Sequence, residues 1–188
     1  YGTFAIKGDG NVIGGDNCAD RNYMAGDGKF GFSVTGERNQ IIGNYIGTNR
    51  SGNIGLGNFI SSGRAIEING ISGAGTLIEG NIVAGASGAL GSGIRLEGSS
   101  GKVIVRNNFI GVGKDYTVIG NSWAGIMISN GGSHEILNNV IGGNGFTGSP
   151  MSHGIGTSST TNLLIEGNFV GVTPDGGNIG NAHSGIEM

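Results

Sequence analysis

The sequence of 188 residues predicts an all-β fold in which short parallel strands stack coil upon coil into a solenoid. Three observations lead to this prediction. A five-residue phrase centred on asparagine recurs roughly every 30 residues, and a second, apolar phrase lies between successive copies. No stretch has the apolar spacing of an amphipathic helix. We therefore expect about six coils and almost no helix.

The asparagine phrase is clearest in the five residues Gly167 to Gly171, which read Gly-Asn-Phe-Val-Gly. Stacked one per coil, each asparagine amide can donate to one neighbour and accept from the other. An unpaired inward amide costs about 1–3 kcal/mol, so the column is predicted to be a structural ladder without a catalytic role. We also expect these residues to adopt left-handed or bridge dihedrals at a bend. The predicted ladder consists of Asn22, Asn44, Asn81, Asn108, Asn139 and Asn168.

The apolar phrases predict the strands and the core. A short apolar alternation precedes each asparagine, and its inward position three residues upstream is occupied by Ile41, Ile78, Val105, Ile136 and Ile165. The second phrase has two apolar residues around a variable one, which is typical of a half-buried strand. One coil cannot bury its own apolar face, so equivalent strands of successive coils must pair in parallel. The variable positions are Ser33, Glu67, Arg95, Met127, Gly156 and Glu187.

Three connections between coils are long and end in Gly-Asn, whereas those after Asn81 and Asn139 appear in the sequence without that ending. The coils with long connections also carry an aromatic residue directly after the asparagine. Each long loop is expected to fold back over its own aromatic ring; the alternative is an exposed aromatic row that stacks on sugar rings. The aromatics are Tyr45, Phe109 and Phe169, and the endings are Gly57-Asn58, Gly120-Asn121 and Gly180-Asn181.

Composition excludes several classes of protein. The chain has 43 glycines, 2 prolines and a net charge of −3. The glycines lack a three-residue period, which argues against collagen, and the β-branched bursts argue against disorder. No basic stripe with exposed stacking aromatics is evident, so no nucleic-acid partner is expected. No apolar run has the length of a membrane span. The single cysteine, Cys18, predicts neither an internal disulfide nor a zinc site.

A single domain is expected to cover residues 1–188. The chain opens on Tyr1 and closes on Met188 within a strand phrase, so we expect a fragment or processed segment of a longer solenoid. Strand edges at both ends would then need a cap or another subunit. The surface, rich in Asn, Gly, Ser and Thr and poor in charge, is compatible with secretion.

The runs Asn11–Gly15, Arg21–Gly26 and Gly43–Thr48, together with Gly57-Asn58, resemble the right-handed parallel β-helix repeat proteins. More narrowly, they are similar to large bacterial surface or secreted proteins with tandem Gly-Asn-Tyr-Ile-Gly-Thr phrases. The resemblance covers essentially the whole chain. It implies a right-handed single-stranded β-helix, an extracellular or cell-surface location and an adhesive role. The wider superfold also contains pectate lyases, polygalacturonases, alginate epimerases and phage tailspikes, so the fold leaves the activity open.

Catalytic chemistry of those enzymes is not apparent in the sequence. Carbohydrate-active β-helices need clustered carboxylates on one outer face, and the 13 acids of this chain are scattered. Only His153-Gly154 matches a polygalacturonase-like set. We therefore assign no catalytic residue, no metal ligand and no cofactor.

One candidate binding cluster follows from stacking. Trp123, His153 and His183 lie just before the second phrase of consecutive coils, which are about 5 Å apart. Glu187 is expected to project outward beside them, and Asp175 lies in the preceding loop. Such a corner can hold a sugar; the plainer interpretation is a set of loop anchors at a strand entry. On another face, Glu79 and Arg106 are expected to form an ion pair between coils.

Two functions are predicted. The first is a non-enzymatic extracellular structural or adhesive solenoid segment, as in a stalk, surface protein or filament, with end-to-end self-association as its partner interaction. The alternative is a carbohydrate-binding or polysaccharide-degrading module that uses the corner of Trp123, His153, His183 and Glu187, with a polysaccharide or cell-surface glycan as its partner. A tailspike-like trimer is a third possibility that no sequence feature marks.

Overall fold

The structure is a computed structural model that describes residues 4–26, 30–57, 63–73, 75–98, 101–145 and 150–188. These residues form short β-strands and one helical turn, the 3-10 helix Cys18–Asp20. The strands, in chain order, are β1 (Phe4–Ile6), β2 (Val12–Gly14), β3 (Tyr23–Met24), β4 (Phe30–Val34), β5 (Gln40–Ile42), β6 (Tyr45–Ile46), β7 (Arg64–Asn69), β8 (Thr76–Glu79), β9 (Ile82–Val83), β10 (Ile94–Glu97), β11 (Val103–Arg106), β12 (Phe109–Ile110), β13 (Ile126–Ser129), β14 (Glu135–Leu137), β15 (Val140–Ile141), β16 (Ile155–Ser158), β17 (Leu164–Glu166), β18 (Phe169–Val170) and β19 (Ile186–Glu187).

The strands form three parallel sheets, and the chain visits the sheets in rotation. The first sheet has the order β1-β4-β7-β10-β13-β16-β19, the second β17-β14-β11-β8-β5-β2, and the third β18-β15-β12-β9-β6-β3. Each coil therefore contributes one strand to each sheet, and each strand pairs with its equivalent in the next coil. The prediction of an all-β parallel solenoid of about six coils with almost no helix is confirmed. Its right-handed sense stays a prediction.

The core is a set of apolar rows that run through the coils. In the first sheet, Ile94 pairs with Ile66 on one side and with Ile126 on the other. The predicted inward row of the second sheet is fully buried at its first four positions, and Ile165 packs against the core at the end of the row. Because like residues stack on like, each coil buries apolar surface that it could not bury alone. The second-sheet row is Ile41, Ile78, Val105, Ile136 and Ile165.

The six asparagines form an unbroken hydrogen-bonded column. Each amide Nδ2 donates to the Oδ1 of the asparagine in the next coil, over 2.9–3.2 Å. The same Oδ1 atoms also accept the backbone N–H of the preceding asparagine. The four central members are at most 1% exposed, whereas Asn22 is exposed and Asn168 is half-buried. Every central amide is therefore satisfied across coil boundaries.

The expectation that the ladder asparagines adopt left-handed dihedrals is wrong by one residue. Positive φ angles occur at the residue before the asparagine in five of the six coils, and the ladder residues themselves are not among the non-glycine residues with positive φ. A left-handed residue makes the bend, and the following residue then points its amide into the interior. The residues with positive φ are Gly43 (66°), Gly80 (64°), Asn107 (56°), Asn138 (54°) and Gly167 (67°).

A second, shorter asparagine ladder lies at the next corner. Asn121 Nδ2 donates to Asn144 Oδ1, and Asn144 Nδ2 donates to Asn181 Oδ1, both over 2.9 Å. Ala86 N–H donates to Asn121 Oδ1 from the coil before. The Gly-Asn ending that the sequence comparison assigned only to long connections is thus also supplied after Asn139, by Gly143-Asn144. Asn58, at the equivalent place, lies outside the described residues.

The long loops fold back on themselves through antiparallel bridges, which pair Thr48 with Gly55, Val112 with Val118 and Val172 with Asn178. Tyr45 is 5% exposed. Phe109 packs at 5.8 Å, centroid to centroid, against Tyr116 of its own loop. Phe169 remains 38% exposed. The covering arrangement therefore describes the first two aromatic residues and not the third.

The ladder predicts a graded response to substitution. Asn108→Ala removes the acceptor of Asn81 and the donor to Ile78 O and Arg106 O, all in the interior. We expect a loss of about 2–4 kcal/mol in the free energy of unfolding. Asn22→Ala, at the exposed end of the same ladder, should cost about 1 kcal/mol or less. Denaturant unfolding followed by circular dichroism measures both, and equal losses would contradict the structural role of the ladder.

Candidate functional site

The outward row of the first sheet contains a gap. Its side chains are the variable residues of the second phrase, and strand pairing places Gly156 between Met127 and Glu187. Arg95 lies one coil further, beside Met127. Gly156 therefore leaves an opening in a row that otherwise carries side chains in the neighbouring coils.

A pocket of about 290 Å³ occupies this opening. We call it the corner pocket, and its main lining residues are Met127, Met151, His153, Gly156 and Glu187. A Cβ atom on Gly156 would lie 3.0 Å from both His153 Cδ2 and Met127 Sδ. The absence of a side chain at Gly156 thus keeps the space between the imidazole and the thioether open.

The structure brings three of the four predicted site residues together. The rings of His153 and His183 contact edge to face, with centroids 5.4 Å apart. His183 Nδ1 lies 3.2 Å from Ser184 Oγ, which in turn donates to Glu187 Oε2 over 3.0 Å. His153 is 5% exposed, and its Nδ1 has no hydrogen-bond partner in the described part of the chain. The pocket therefore combines a buried imidazole with a hydrogen-bonded carboxylate.

The electrostatics of His153 reflect this packing. Burial lowers the pKa of His153 below 6.5, the nearby Glu187 carboxylate opposes this shift, and His183 adds to it. The imidazole is consequently neutral at neutral pH and can both donate and accept a hydrogen bond. A neutral polar ligand suits such a group better than an anion does.

Trp123, the fourth predicted residue, lies behind the corner pocket. It is 5% exposed and packs in a cluster with Ala124 and Met127. The guanidinium carbon of Arg95 lies 5.8 Å from its ring centroid. The indole therefore supports the pocket wall through Met127, and its face does not form an open platform for a sugar ring.

Most other carboxylates of these faces are already paired. Glu67 forms an ion pair with Arg64, and the expected pair of Arg106 with Glu79 is present at 2.8 Å. Asp175 accepts a hydrogen bond from the Thr173 hydroxyl within its own loop, which lowers the pKa of Asp175. No group of three or more His, Cys, Asp or Glu side chains in the described residues is arranged to hold a metal ion. Glu187 is the carboxylate that lines the corner pocket.

These features define a parallel β-solenoid repeat protein with a small polar pocket on the outer face of its first sheet. Comparisons of the chain with protein-family models, with curated proteins and with solved structures each gave no match. Within the described residues, no helix combines the length and hydropathy that a transmembrane segment requires.

The geometry of the pocket predicts the titration of His153. Proton NMR should give an imidazole pKa below 6.5 for His153, because burial disfavours the charged form. Glu187→Gln should lower this pKa further, since it removes the neighbouring negative charge, and His183→Gln should raise it. An unchanged His153 pKa in both variants would show that the three side chains do not lie together in solution.

Proposed function

We propose that this chain is a structural and adhesive segment of an extracellular or cell-surface β-solenoid, as in a stalk or filament. The observation that carries the proposal is the continuity of the stack, in which three sheets and the asparagine ladder run through every coil. Such a stack is stiff along its axis, because each coil is hydrogen-bonded to both neighbours. The extracellular location is supported by the sequence resemblance and is part of the proposal.

The two ends of the stack support growth by end-to-end contact. Strands β1, β2 and β3 lie at one edge of the sheets, and β19, β17 and β18 lie at the other. Edge strands offer backbone groups that can pair with a further coil. Large apolar side chains are exposed at both ends: Phe4, Val12 and Tyr23 at the first, and Leu164, Phe169 and Ile186 at the second. A second copy stacked head to tail would cover both features.

Sedimentation velocity over a range of concentrations tests this proposal. The wild type should form species larger than the monomer as concentration rises. Val12→Asp places a charge on the first end and should raise the concentration required by about tenfold or more. Ile54→Asp is the matched control, because Ile54 is 59% exposed, close to the 61% of Val12, but lies in a lateral loop. A wild type that stays monomeric at every concentration would contradict end-to-end stacking.

A second candidate function, binding of a neutral saccharide, is favoured by the corner pocket. Its volume of about 290 Å³ is at the small end for ligand sites, which suits one or two sugar rings. Glu187 can accept a hydrogen bond from a hydroxyl, His153 can exchange one, and the Met127 thioether gives an apolar contact. The unpartnered, buried Nδ1 of His153 is the specific observation that supports this function.

Filling the pocket tests this second function. Gly156→Val should abolish binding to neutral oligosaccharides on a glycan array, because its side chain occupies the space between His153 and Met127. Ser33→Val, at the equivalent outward position of the second coil, is the control and should leave binding unchanged. Absence of binding by the wild type, or equal binding by Gly156→Val, would remove saccharide binding at this pocket.

A further inference from the structure

The outer face of the third sheet carries an apolar and aromatic row over four coils. Strand pairing aligns Tyr23 with Tyr45, Tyr45 with Ile82, and Ile82 with Phe109. Tyr45 and Ile82 are buried, and Phe109 is half-buried. This row is the floor of a groove on the flank of the solenoid.

Cations surround this floor. The guanidinium carbon of Arg21 lies 4.1 Å from the ring centroid of Tyr45, and Arg21 Nε donates to Gly43 O over 2.7 Å. The guanidinium carbon of Arg50 lies 5.8 Å from the ring centroid of Tyr23. These contacts hold the arginine side chains against the sheet, and cation–π attraction contributes to each of them.

The cations of this flank lack acidic partners, unlike those of the other faces. Among the described residues, the ion pairs within 4.0 Å involve Arg38, Arg64, Arg95, Lys102 and Arg106. Arg21, Arg50 and Lys114 form none of these pairs. A protein with a net charge of −3 thus has three positive groups on one flank that its own carboxylates do not neutralise.

A groove of about 200 Å³ lies between two of these cations. Arg21 and Lys114 flank it, and Tyr45, Ile82 and Phe109 form its floor; we call this set the flank groove. Its volume is below the range of about 300–1,000 Å³ of pockets for drug-sized ligands, so it accommodates a single small ring. Such a groove matches a ring that has one apolar face and a negative charge at its edge.

We propose that the flank groove binds an acidic polysaccharide, with one uronic acid ring of the polymer seated between Arg21 and Lys114. The C–H face of the ring packs on Ile82 and Phe109, and the carboxylate accepts charge-assisted hydrogen bonds from the two cations. A nucleic acid fits less well. Its bases need open aromatic faces, and guanidinium groups already lie over Tyr45 and Tyr23. The proposal is independent of end-to-end stacking and of the corner pocket.

Calorimetric titration with a 1,4-linked galacturonic acid hexamer at low ionic strength tests the proposal. The hexamer should bind, and its methyl ester, which has the same rings without the charge, should not. Lys114→Gln should weaken the affinity by about three- to tenfold. Lys7→Gln is the matched control, because Lys7 is an exposed lysine outside the groove and has no acidic partner within 4.0 Å in the described chain. It should change the affinity by less than about twofold.

Cys18 provides an independent readout of location, because this exposed thiol lines the same groove. The bound hexamer should slow the alkylation of Cys18 by iodoacetamide, and Gly156→Val should leave both binding and protection intact. Arg21→Gln should weaken binding as well; if it also lowers the melting temperature, Lys114→Gln alone decides. Equal binding of the methyl ester, equal loss in Lys7→Gln, no protection of Cys18, or equally tight binding of a single-stranded hexadeoxynucleotide would each overturn the proposal.

Discussion

The hydrogen bond between successive coils is the interaction on which the rest of the structure depends. The amide of Asn81 illustrates it: its Nδ2 donates to Asn108 in the next coil and to Ile41 O in the coil before. An amide buried in an apolar interior is tolerated only when it is hydrogen-bonded, and here its partners belong to other coils. The same applies to buried His134, whose Nδ1 accepts the N–H of Val103 one coil away and whose pKa burial lowers. No coil is complete by itself.

Because the inward positions carry the stability, the outward positions are free to differ from coil to coil. The row that contains Glu67, Arg95, Met127 and Gly156 shows this freedom, since its members share a place in the sheet and almost no chemistry. A single glycine in that row opens the corner pocket, and cations without acidic partners on another face create the flank groove. The regular interior thus acts as a scaffold whose surface sites arise from local departures from the repeat.

The features that repeat could be predicted from the sequence, and those that occur once could not. The core rows and the asparagine ladder follow from periodicity, because stacking forces equivalent residues to meet. The burial of Trp123 does not, since it depends on how one connection packs against Met127 and Arg95. The contact between Arg21 and Tyr45 likewise joins residues from two coils whose relative orientation no repeat specifies. The left-handed bend was displaced by one residue because glycine and asparagine both tolerate it, and composition does not choose between adjacent positions.

Native-state hydrogen exchange tests most directly the claim that the coils stabilise one another. The backbone amides of Asn81 and Asn108, each bonded to a ladder Oδ1 in the next coil, report on the centre of the stack. If the account is correct, both amides exchange only through global unfolding, with the free energy that denaturant unfolding gives for the whole chain. Exchange of either amide at a much lower free energy, coil by coil, would show that the coils are independently stable and would contradict it.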